Sequence, residues 1–426
     1  MPLRDFFLDM NAFFASAEQH LQPRLRGKPV AVVPAFTATT CCIAASYEAR
    51  SFGVRTGTNV GEAILKCPQL ELVEGDHVKY VGLHHEICAA VETVLPIHQV
   101  SSIDEMSFRL LGPERHPVRA MGLALEMKRA IAEKVGPTLR CSIGIAPNRF
   151  LAKTASNMQK PDGLVVLNDE DLPHKLYRLE LEDLTGISHR MGARLRSAGI
   201  TSVRELCEAS ERDLGNAWGS VVGERWALML RGEDVDAPPT VRRQVGHSRI
   251  LPPEHRSEEG ARAILAHLTQ KAATRLRDMG MWTQRLTLSV TTVAWRDTPS
   301  GETKRERARW KRELSFPPCK DTPTLMESFA RLWAERPAGG TPFSVSVTLT
   351  ELVGDGSVTP PLFDESRRRL AASKAMDAIN DKYGTNTAYF ASLQQAKDGV
   401  PVRIAFSQVP NIARERSASP SALPET

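Results

Sequence analysis

Three carboxylates lie at the edges of apolar stretches of the chain. Asp9 closes the run Asp5–Met10, and Asp104 and Glu105 open a second run in which apolar and polar residues alternate. A charge at the edge of a buried strand is costly unless it is paired or bound to a metal. An Asp-Glu pair taken alone is more often a surface turn or an ion pair, so the surrounding sequence must decide.

Carboxylates that converge from two adjacent strands suit Mg²⁺, because this ion takes hard oxygen ligands and shares its shell with substrate phosphates. Two such ions, about 3.5–4 Å apart, can carry out in-line phosphoryl transfer. One ion lowers the pKa of the attacking hydroxyl, and the other holds the leaving pyrophosphate. The chemistry that the three carboxylates suggest is therefore phosphoryl or nucleotidyl transfer.

The elements that must position these residues alternate between strands and helices over the first 165 residues, which predicts a mixed α/β region. Strands are predicted at 5–10, 28–33, 103–110 and 140–145, and helices at 13–20, 44–52, 118–133 and 148–158.

The second half of the chain changes character. Residues 170–235 predict short helices, and Ala237–Thr240 predicts a linker. Two stretches with a period of two, 284–295 and 343–353, alternate with predicted helices near 256–279 and 323–336. The resulting β-α-β-β-α-β order indicates a separate, small α+β domain. Beyond it we expect an amphipathic helix at 364–383, strands at 387–392 and 402–406, and disorder from 414 to 426.

Length and charge agree with several domains. The 426 residues suggest two to four domains, and the net charge of +5 is unevenly distributed. Residues 1–240 carry 27 basic and 30 acidic side chains, residues 241–350 carry 19 and 11, and residues 351–426 carry 9 of each. A segment with net charge +8 would suit a polyanion-binding module, or it is a solvated charged face.

Several classes of protein are not expected. No apolar run approaches the roughly 18 residues that cross a bilayer, and Asp5 interrupts the position of a signal-peptide core. The seven cysteines are scattered without a C-x-x-C pair, so neither a disulfide framework nor a zinc site is predicted. We expect a protein of the reducing cytoplasm.

Four motifs resemble those of Y-family (DinB/UmuC-type, polymerase IV-like) translesion DNA polymerases, in the family's order and spacing. They are Phe7–Ser16, Ala45–Val54, Ser102–Glu105 and Ser142–Lys153, the last continuing to Lys160–Gly163. The resemblance covers about residues 5–353. It implies a template-directed, error-prone DNA polymerase that transfers nucleotides to a primer 3′-OH. No segment suggests a 3′–5′ exonuclease, so proofreading is not expected.

The resemblance assigns roles to the carboxylates. Asp9, Asp104 and Glu105 would hold two Mg²⁺ ions, for which Mn²⁺ can substitute, with the main-chain carbonyl of Met10 as a further ligand. The family usually has an acidic residue where this chain has Asn11. Because that position is not one of the three main ligands, we expect activity to survive, with an altered metal preference.

The nucleotide contacts follow from the same motifs. Phe14 would be the steric gate that leaves no room for a ribose 2′-OH, with a core aromatic as the alternative. Tyr47, Arg50 and Lys160 would contact the triphosphate, a role that suits the planar fork of Arg and the point charge of Lys. The alternative for Arg50 is a helical ion pair with an acidic neighbour. Lys153 lies in the same motif but receives no role.

Two regions resemble DNA-binding parts of the family. Leu184–Leu195 is similar to a helix-hairpin-helix, in which Gly186 and Ser188 occupy the hairpin positions, Ser188 in place of the usual second Gly. An ordinary helical turn is the alternative. The basic segment resembles the little finger, and its net charge of +8 would bind the duplex backbone, with Arg305, Arg307, Arg309 and Lys311 as DNA-binding residues within its densest basic cluster. The cluster consists of Arg305, Arg307, Arg309, Lys311 and Arg312, near Trp310.

Thr359–Phe363 (Thr-Pro-Pro-Leu-Phe) resembles the short sliding-clamp-binding peptides of bacterial polymerases. Leu362 and Phe363 would fill an apolar pocket on the clamp, or they pack onto the protein's own tail.

The resemblance also implies a right-handed polymerase architecture. Its predicted parts are a palm (1–20 and 76–165), fingers (21–75), a helical thumb (166–236), a little finger (242–353) and a tail (354–426). The expected partners are primer-template DNA, deoxynucleoside triphosphates and the clamp, with no membrane; we expect a monomer in the cytoplasm, on the nucleoid. A catalytically inactive scaffold of the same fold and a nucleotide cyclase are the alternatives. The retained carboxylates disfavour the scaffold, and the basic second half disfavours the cyclase.

Overall fold

The computed structural model describes residues 2–38, 40–235, 242–297, 303–337, 339–359, 364–384 and 387–390. These residues fall into two compact units, divided after residue 237. No helix among the described residues is long and apolar enough to cross a membrane. The predicted linker at 237–240 lies outside the described residues.

The first unit contains seven of the eight elements predicted over residues 1–165 in nearly their predicted bounds. Its elements in chain order are β1 (Asp5–Met10), α1 (Phe13–Leu21), β2 (Val30–Val33), β3 (Ala44–Ala45), α2 (Tyr47–Ser51), α3 (Val60–Lys66), β4 (Glu71–Glu74), α4 (His77–Glu92), β5 (Ile97–Val100), β6 (Glu105–Arg109), α5 (Pro117–Lys134), β7 (Cys141–Ala146), α6 (Arg149–Met158), β8 (Leu164–Val166), α7 (His189–Ser197), α8 (Val203–Glu208), α9 (Glu211–Trp218) and α10 (Val221–Leu230).

A five-stranded sheet with the order β5-β6-β1-β7-β8 forms the centre of the first unit. Strand β1 is buried along its whole length and pairs antiparallel with both β6 and β7. Helix α6 packs closely on β7 at Gly144, where an added Cβ would lie only 2.0 Å from the carbonyl oxygen of Ala152. A strand between two partners cannot shift its register, so the position of Asp9 is fixed on both sides.

A smaller sheet, with the order β3-β2-β4, lies within residues 30–74. The helix predicted over 44–52 was wrong at its start, because Ala44 and Ala45 pair with β2 as a short strand. The helix begins only after Ser46, whose hydroxyl accepts a hydrogen bond from the Ala49 N–H. This N-cap sets the boundary that the apolar pattern alone did not show.

Residues 169–230 form short helices, as predicted. Four of them, α7 to α10, surround an apolar core that includes Leu195, Leu206, Leu214 and Trp226. The side-chain amide of Asn148, which caps α6, donates to the carbonyls of Met229 (2.9 Å) and Glu233 (2.8 Å). The end of this helical region is thereby bonded to the start of α6.

The second unit has the predicted β-α-β-β-α-β order, followed by a short strand and a helix. Its elements are β9 (Gln244–Ile250), α11 (Glu258–Asp278), β10 (Met281–Asp297), β11 (Thr303–Cys319), α12 (Thr322–Ala334), β12 (Thr341–Thr350), β13 (Val353–Gly354) and α13 (Asp364–Tyr383).

The sheet of the second unit has the order β11-β10-β12-β9. Leu286, Leu288 and Val290 of β10 point to one face and form a core with α11 and α12. The residues between them point to the opposite face, as the two-residue period of a strand requires. One face of the sheet is thus covered by helices, and the other presents polar side chains.

Helix α13 has the bounds that the sequence predicted. It docks on the second unit through Asp377, which accepts two hydrogen bonds from the Arg277 guanidinium (2.6 and 2.8 Å), and through Ser373, whose Oγ accepts from the Thr322 N–H. The strand predicted at 387–392 is wrong where it is described, because residues 387–390 form no strand. Residues 391–426, with the strand predicted at 402–406, lie outside the described part.

Candidate active site

The pairing of β1 with β6 brings the three predicted carboxylates to one end of the central sheet. Asp9 lies directly opposite Glu105, and the Met10 N–H donates to the carbonyl of Asp104 over 2.9 Å. Asp9 is only 7% exposed. Residues almost 100 positions apart in the chain therefore share one small, poorly solvated volume.

At this end of the sheet, burial raises the pKa of two of the three carboxylates. Burial raises the pKa of Asp9 to about 6; Lys160 opposes the shift, and the charges of Asp104 and Glu105 add to it. Burial likewise raises the pKa of Asp104, against a hydrogen bond from Ser102, and the charge of Glu105 raises it further. Carboxylates that raise one another's pKa in this way are stabilised in their ionised form by nearby positive charge.

Two lysines supply this positive charge in the structure. The Lys160 ammonium lies 2.6 Å from Asp9 Oδ1, and the Lys153 ammonium lies 2.7 Å from Glu105 Oε2. Lys153 also lies over the ring of Phe7, 5.3 Å from its centroid. Among the described residues, no three side chains of His, Cys, Asp or Glu are arranged to hold a metal ion as they stand. The carboxylate oxygens are donors of the type that Mg²⁺ prefers. In this structure, the ammonium groups of Lys160 and Lys153 lie against them.

Phe14 lies on α1, one residue after its start. Its ring stacks on Tyr80 with centroids 4.6 Å apart, and His77 meets it edge-on at 6.0 Å. The Tyr80 hydroxyl donates to Glu18 over 2.6 Å, so the supporting ring is held in place. Phe13 is buried in the core, whereas Phe14 is partly exposed. The Phe14 ring is thus a rigid, accessible surface.

Tyr47 and Arg50 lie on α2. The Arg50 guanidinium lies 4.6 Å from the Tyr47 ring centroid, and its Nε donates to the carbonyl of Ala45. Burial raises the pKa of Tyr47; Arg50 opposes the shift, and Asp9 adds to it, so the phenol is within electrostatic reach of Asp9. Within the described residues, Arg50 contacts the Ala45 carbonyl and the Tyr47 ring, and an acidic neighbour is not among these contacts.

The hairpin positions of the first unit precede α7. Gly186 has φ +100°, and a Cβ there would lie 3.1 Å from the Trp226 ring, so both its backbone and its surroundings favour glycine. Ser188 is the N-cap residue of α7, but its hydroxyl does not cap the helix. The backbone N–H groups of the first turn are therefore not satisfied by this side chain.

Three basic residues of β11 lie on the open face of the second sheet. Lys311 is opposite Ser289, Arg309 opposite Thr291 and Arg307 opposite Val293, and paired residues point to the same side. Arg312 is opposite the core residue Leu288 and so lies on the helix-covered face. The backbone of Arg305 continues the odd-numbered series, but its side chain lies outside the described part.

Sequence reasoning missed several polar residues of both sites. The open face also carries short hydroxyl side chains, which the two-residue period of β10 and β12 could have identified: Thr287, Ser289, Thr291, Ser344, Ser346 and Thr348. Lys153 and Ser102 contact the carboxylates, yet no local signal joins Lys153 to Glu105 across 48 positions. Leu362 and Phe363, the predicted clamp-binding residues, lie outside the described residues.

Two family models match the chain. The model described as the impB/mucB/samB family matches residues 8–157, and that of the impB/mucB/samB family C-terminal domain matches residues 242–362. The first range contains the three carboxylates, and the second contains the basic strand.

Similar proteins include two that are named DNA polymerase IV. The protein from Pelotomaculum thermopropionicum is 31% identical over 388 residues, which cover 89% of this chain and 92% of that relative. The protein from Moorella thermoacetica is 32% identical over 394 residues, which cover 90% and 94%.

Similar solved structures include a Y-family DNA polymerase chimera of Dbh and Dpo4, with a TM-score of 0.64 at 21% identity over 82% of this chain and 99% of that chain. An insertion ternary complex of Dbh DNA polymerase gives a TM-score of 0.54 at the same identity and coverage. The fold is that of the Y-family polymerases, which confirms the predicted α/β and α+β multidomain class. The chain belongs to the impB/mucB/samB family, the Y family of DNA-directed DNA polymerases that perform translesion synthesis.

Proposed function

We propose that this chain extends a primer 3′-OH along a DNA template by two-metal nucleotidyl transfer at the end of β1 and β6. Asp9, Asp104 and Glu105, with the carbonyl of Met10, would hold two Mg²⁺ ions, for which Mn²⁺ can substitute. When bound, the ions lower the pKa of the attacking hydroxyl and neutralise charge on the leaving pyrophosphate. The observation that carries the proposal is the register Asp9–Glu105, which supports a three-carboxylate site.

The protein's own cationic groups position the nucleotide. Lys160 pairs with Asp9 in this structure. Once Asp9 holds the metal ions, the Lys160 ammonium would pair with a triphosphate oxygen. Arg50 offers two donors to phosphate in a planar fork, and its contact with the Tyr47 ring keeps that fork in place. The partly exposed ring of Phe14, supported by Tyr80, would exclude a ribose 2′-OH by contact.

The second unit would hold the duplex. Arg307, Arg309 and Lys311 line one exposed face, and the Arg309 Nε donates to Ser289 Oγ over 2.8 Å, which orients its side chain. Such a face binds phosphates without reading bases, and its affinity falls as salt rises. The hairpin at Gly186 and Ser188 would add backbone contacts to one strand.

The predicted parts of a right-handed polymerase carry over as part of the proposal. The five-stranded sheet would belong to the palm, the three-stranded sheet to the fingers, the helices at 169–230 to the thumb and residues 242–353 to the little finger. Synthesis would be error-prone and without proofreading, by a monomer acting in the cytoplasm on the nucleoid.

Residues 359–363 would bind the sliding clamp. Replacing Leu362 and Phe363 together by Ala should abolish stimulation by the clamp and leave clamp-free primer extension intact, because neither residue belongs to the site. Primer extension with and without a loaded clamp measures this. Equal stimulation of the wild type and the double variant would contradict the clamp assignment.

Primer extension on a DNA template with Mg²⁺ and deoxynucleotides tests the activity itself, with the wild type beside Asp104→Ala. We expect template-dependent extension by the wild type and its loss in the variant. Both proteins must bind primer-template DNA equally and melt at similar temperatures. No extension by a folded, DNA-binding wild type would contradict the proposal and favour a scaffold that binds DNA without catalysis.

A further inference from the structure

The turn that carries Lys160 lies against the carboxylates and is tightly constrained. Asp162 has φ +57°, in the left-handed region. A Cβ at Gly163 would lie 1.9 Å from the carbonyl oxygen of Gln159, so no larger residue fits there without moving the chain. The backbone of Lys160 belongs to this turn, and its ammonium lies 2.6 Å from Asp9 Oδ1.

The side chain of Asn11 holds the turn from the β1 side. Asn11 is 3% exposed, and its Oδ1 accepts a hydrogen bond from the Asp162 N–H over 2.7 Å. Its Nδ2 donates to Ser142 Oγ over 3.0 Å, and the same Oγ accepts from the Gly163 N–H over 3.1 Å. Two consecutive N–H groups of the turn thus depend on the pair Asn11–Ser142.

Asn11 is itself well fixed. Its backbone N–H donates to the carbonyl of Arg140 over 2.8 Å, next to the last pair of the β1–β7 ladder, and its carbonyl accepts from the Ser16 hydroxyl over 2.7 Å. A side chain anchored in this way transmits the position of the central sheet to the turn. Asn11 therefore connects the strand that carries Asp9 with the turn that carries Lys160.

Lys128 of α5 holds the turn from the other side. Its ammonium donates to the carbonyl of Asp162 (2.8 Å), to Oδ1 of the same residue (2.6 Å) and to the carbonyl of Cys141 (2.7 Å). The turn is therefore held between β1, β7 and α5. Among the described residues, Lys128 donates to Cys141 and Asp162 but not to Asp9, so its link to the Lys160–Asp9 pair runs through the turn.

The chemistry of position 11 explains which substitutions would keep this support. An amide accepts and donates at once, as the two bonds of Asn11 require. An aspartate would still accept from the Asp162 N–H, and the Ser142 hydroxyl could turn to donate to it while accepting from Gly163. An alanine would remove both the acceptor of the Asp162 N–H and the donor to Ser142 Oγ, a loss that costs free energy of the order of a hydrogen bond.

We propose that Asn11 is a positioning residue for the incoming nucleotide: through Ser142 and the turn at Asp162–Gly163, it holds the Lys160 ammonium where the triphosphate binds. This inference rests on the proposed function, in which Lys160 contacts the triphosphate. It assigns Asn11 an effect on nucleotide binding, without metal ligation or a part in the chemical step.

The test compares single-nucleotide incorporation by the wild type and by Asn11→Ala, Asn11→Asp, Lys128→Met and Lys160→Ala. We expect Asn11→Ala to raise KM for the deoxynucleotide about tenfold with kcat within about twofold, and Lys128→Met to change KM in the same direction. Asn11→Asp should restore a KM near that of the wild type. The Kd for primer-template DNA and the melting temperature accompany each variant, and Lys128→Met carries the test if Asn11→Ala does not fold.

The outcomes separate this inference from the function on which it rests. If Lys160→Ala raises KM while Asn11→Ala and Lys128→Met leave it unchanged, the positioning role is overturned and the triphosphate contact stands. If Lys160→Ala itself leaves KM unchanged, the contact is wrong and the inference is overturned with it. A proportional fall in kcat in Asn11→Ala and Asn11→Asp alike would also overturn the inference, because it would indicate a direct role in chemistry.

Discussion

The carboxylate end of the central sheet and the basic face of the second unit use charge in opposite ways. At the sheet end, burial raises the pKa of Asp9, and Asp9 and Glu105 each pair with one specific lysine. On the open face of β11, Arg307 and Lys311 are exposed and belong to a repeated series two residues apart. The first region depends on a few well-placed contacts, and the second depends on the sum of similar ones.

The difference predicts how each region responds to substitution. Removing one member of a buried, mutually dependent set disables the set, so losses there should be large and non-additive. Removing one exposed cation weakens a shared electrostatic attraction, so losses there should be graded and dependent on salt. Single substitutions at the two regions should therefore differ in magnitude and in how they combine.

The largest selective effect is expected at Phe14. Phe14→Ala should lower discrimination against ribonucleotides by about a hundredfold while template-dependent DNA synthesis continues, because the ring that would meet the 2′-OH is gone. The ratio of kcat/KM for paired deoxy- and ribonucleotides measures the effect. Phe13→Ala is a poor control because Phe13 is in the core; Phe52→Ala, at an exposed ring, serves better. Unchanged sugar discrimination in Phe14→Ala would remove the gate assignment.

A smaller, graded effect is expected on the basic face. Replacing Arg307, Arg309 and Lys311 together by Ala should weaken primer-template binding about tenfold at 0.1 M salt and reduce the slope of log affinity against log salt by about 3. Binding isotherms at several salt concentrations measure both quantities.

Arg312→Ala is the matched control for the basic face, because Arg312 lies on the same strand but opposite Leu288 on the helix-covered side. It should leave both affinity and slope near the wild-type values. A loss in Arg312→Ala as large as that in the triple variant would contradict the assignment of the open face to DNA.

The smallest expected effect is on the stability of the second unit, which also has buried ionisable groups. Burial lowers the pKa of His247 to about 4, with Lys271, Arg275 and His267 adding to the shift. Burial lowers the pKa of His267 to about 4 as well, with Lys271 and Arg249 adding to it. His267 is 4% exposed, and within the described part of the chain its Nδ1 has no hydrogen-bond partner.

Because both histidines are held neutral in the folded state, the unfolded chain binds more protons between pH 6.5 and about 4. The free energy of unfolding should therefore fall as pH falls through this window and be unaffected by these groups above it. Urea titrations from pH 7 to 4.5 measure this. The double variant His247→Gln, His267→Gln should show a flatter pH dependence; an unchanged slope would show that other groups dominate acid unfolding.

The two regions also differ in how much of them the sequence predicts. The sequence showed a dense basic cluster on the second unit, and its period of two over residues 305–311 could have placed the odd-numbered members on one face of a strand. The same rule assigns Arg312 to the other face, although it belongs to the same dense cluster. Local periodicity was sufficient here because each contact lies within one strand or between neighbouring strands.

At the carboxylate end, the residue types, the apolar runs and the resemblance to the Y-family motifs together pointed to Asp9, Asp104 and Glu105, but not to the residues that hold them in place. The pairs Lys160–Asp9 and Lys153–Glu105 join residues 151 and 48 positions apart, and only the folded register brings them together. The support of the Lys160 turn by Asn11 was missed for the same reason. Residues 44–45 were predicted as helical because their strand depends on pairing with β2, which is not a local property.

The central claim is that the three carboxylates act as one unit, and a mutant cycle tests this claim most directly. The measurement is the single-turnover rate of nucleotide incorporation for Asp9→Asn, Asp104→Asn, Glu105→Gln and the triple variant, on equal, saturating primer-template. We expect each single change to lower the rate at least about a thousandfold and the triple variant to be no more than about tenfold slower than the worst single one. Losses that multiply across the three positions, or a single variant that keeps the wild-type rate, would contradict the account.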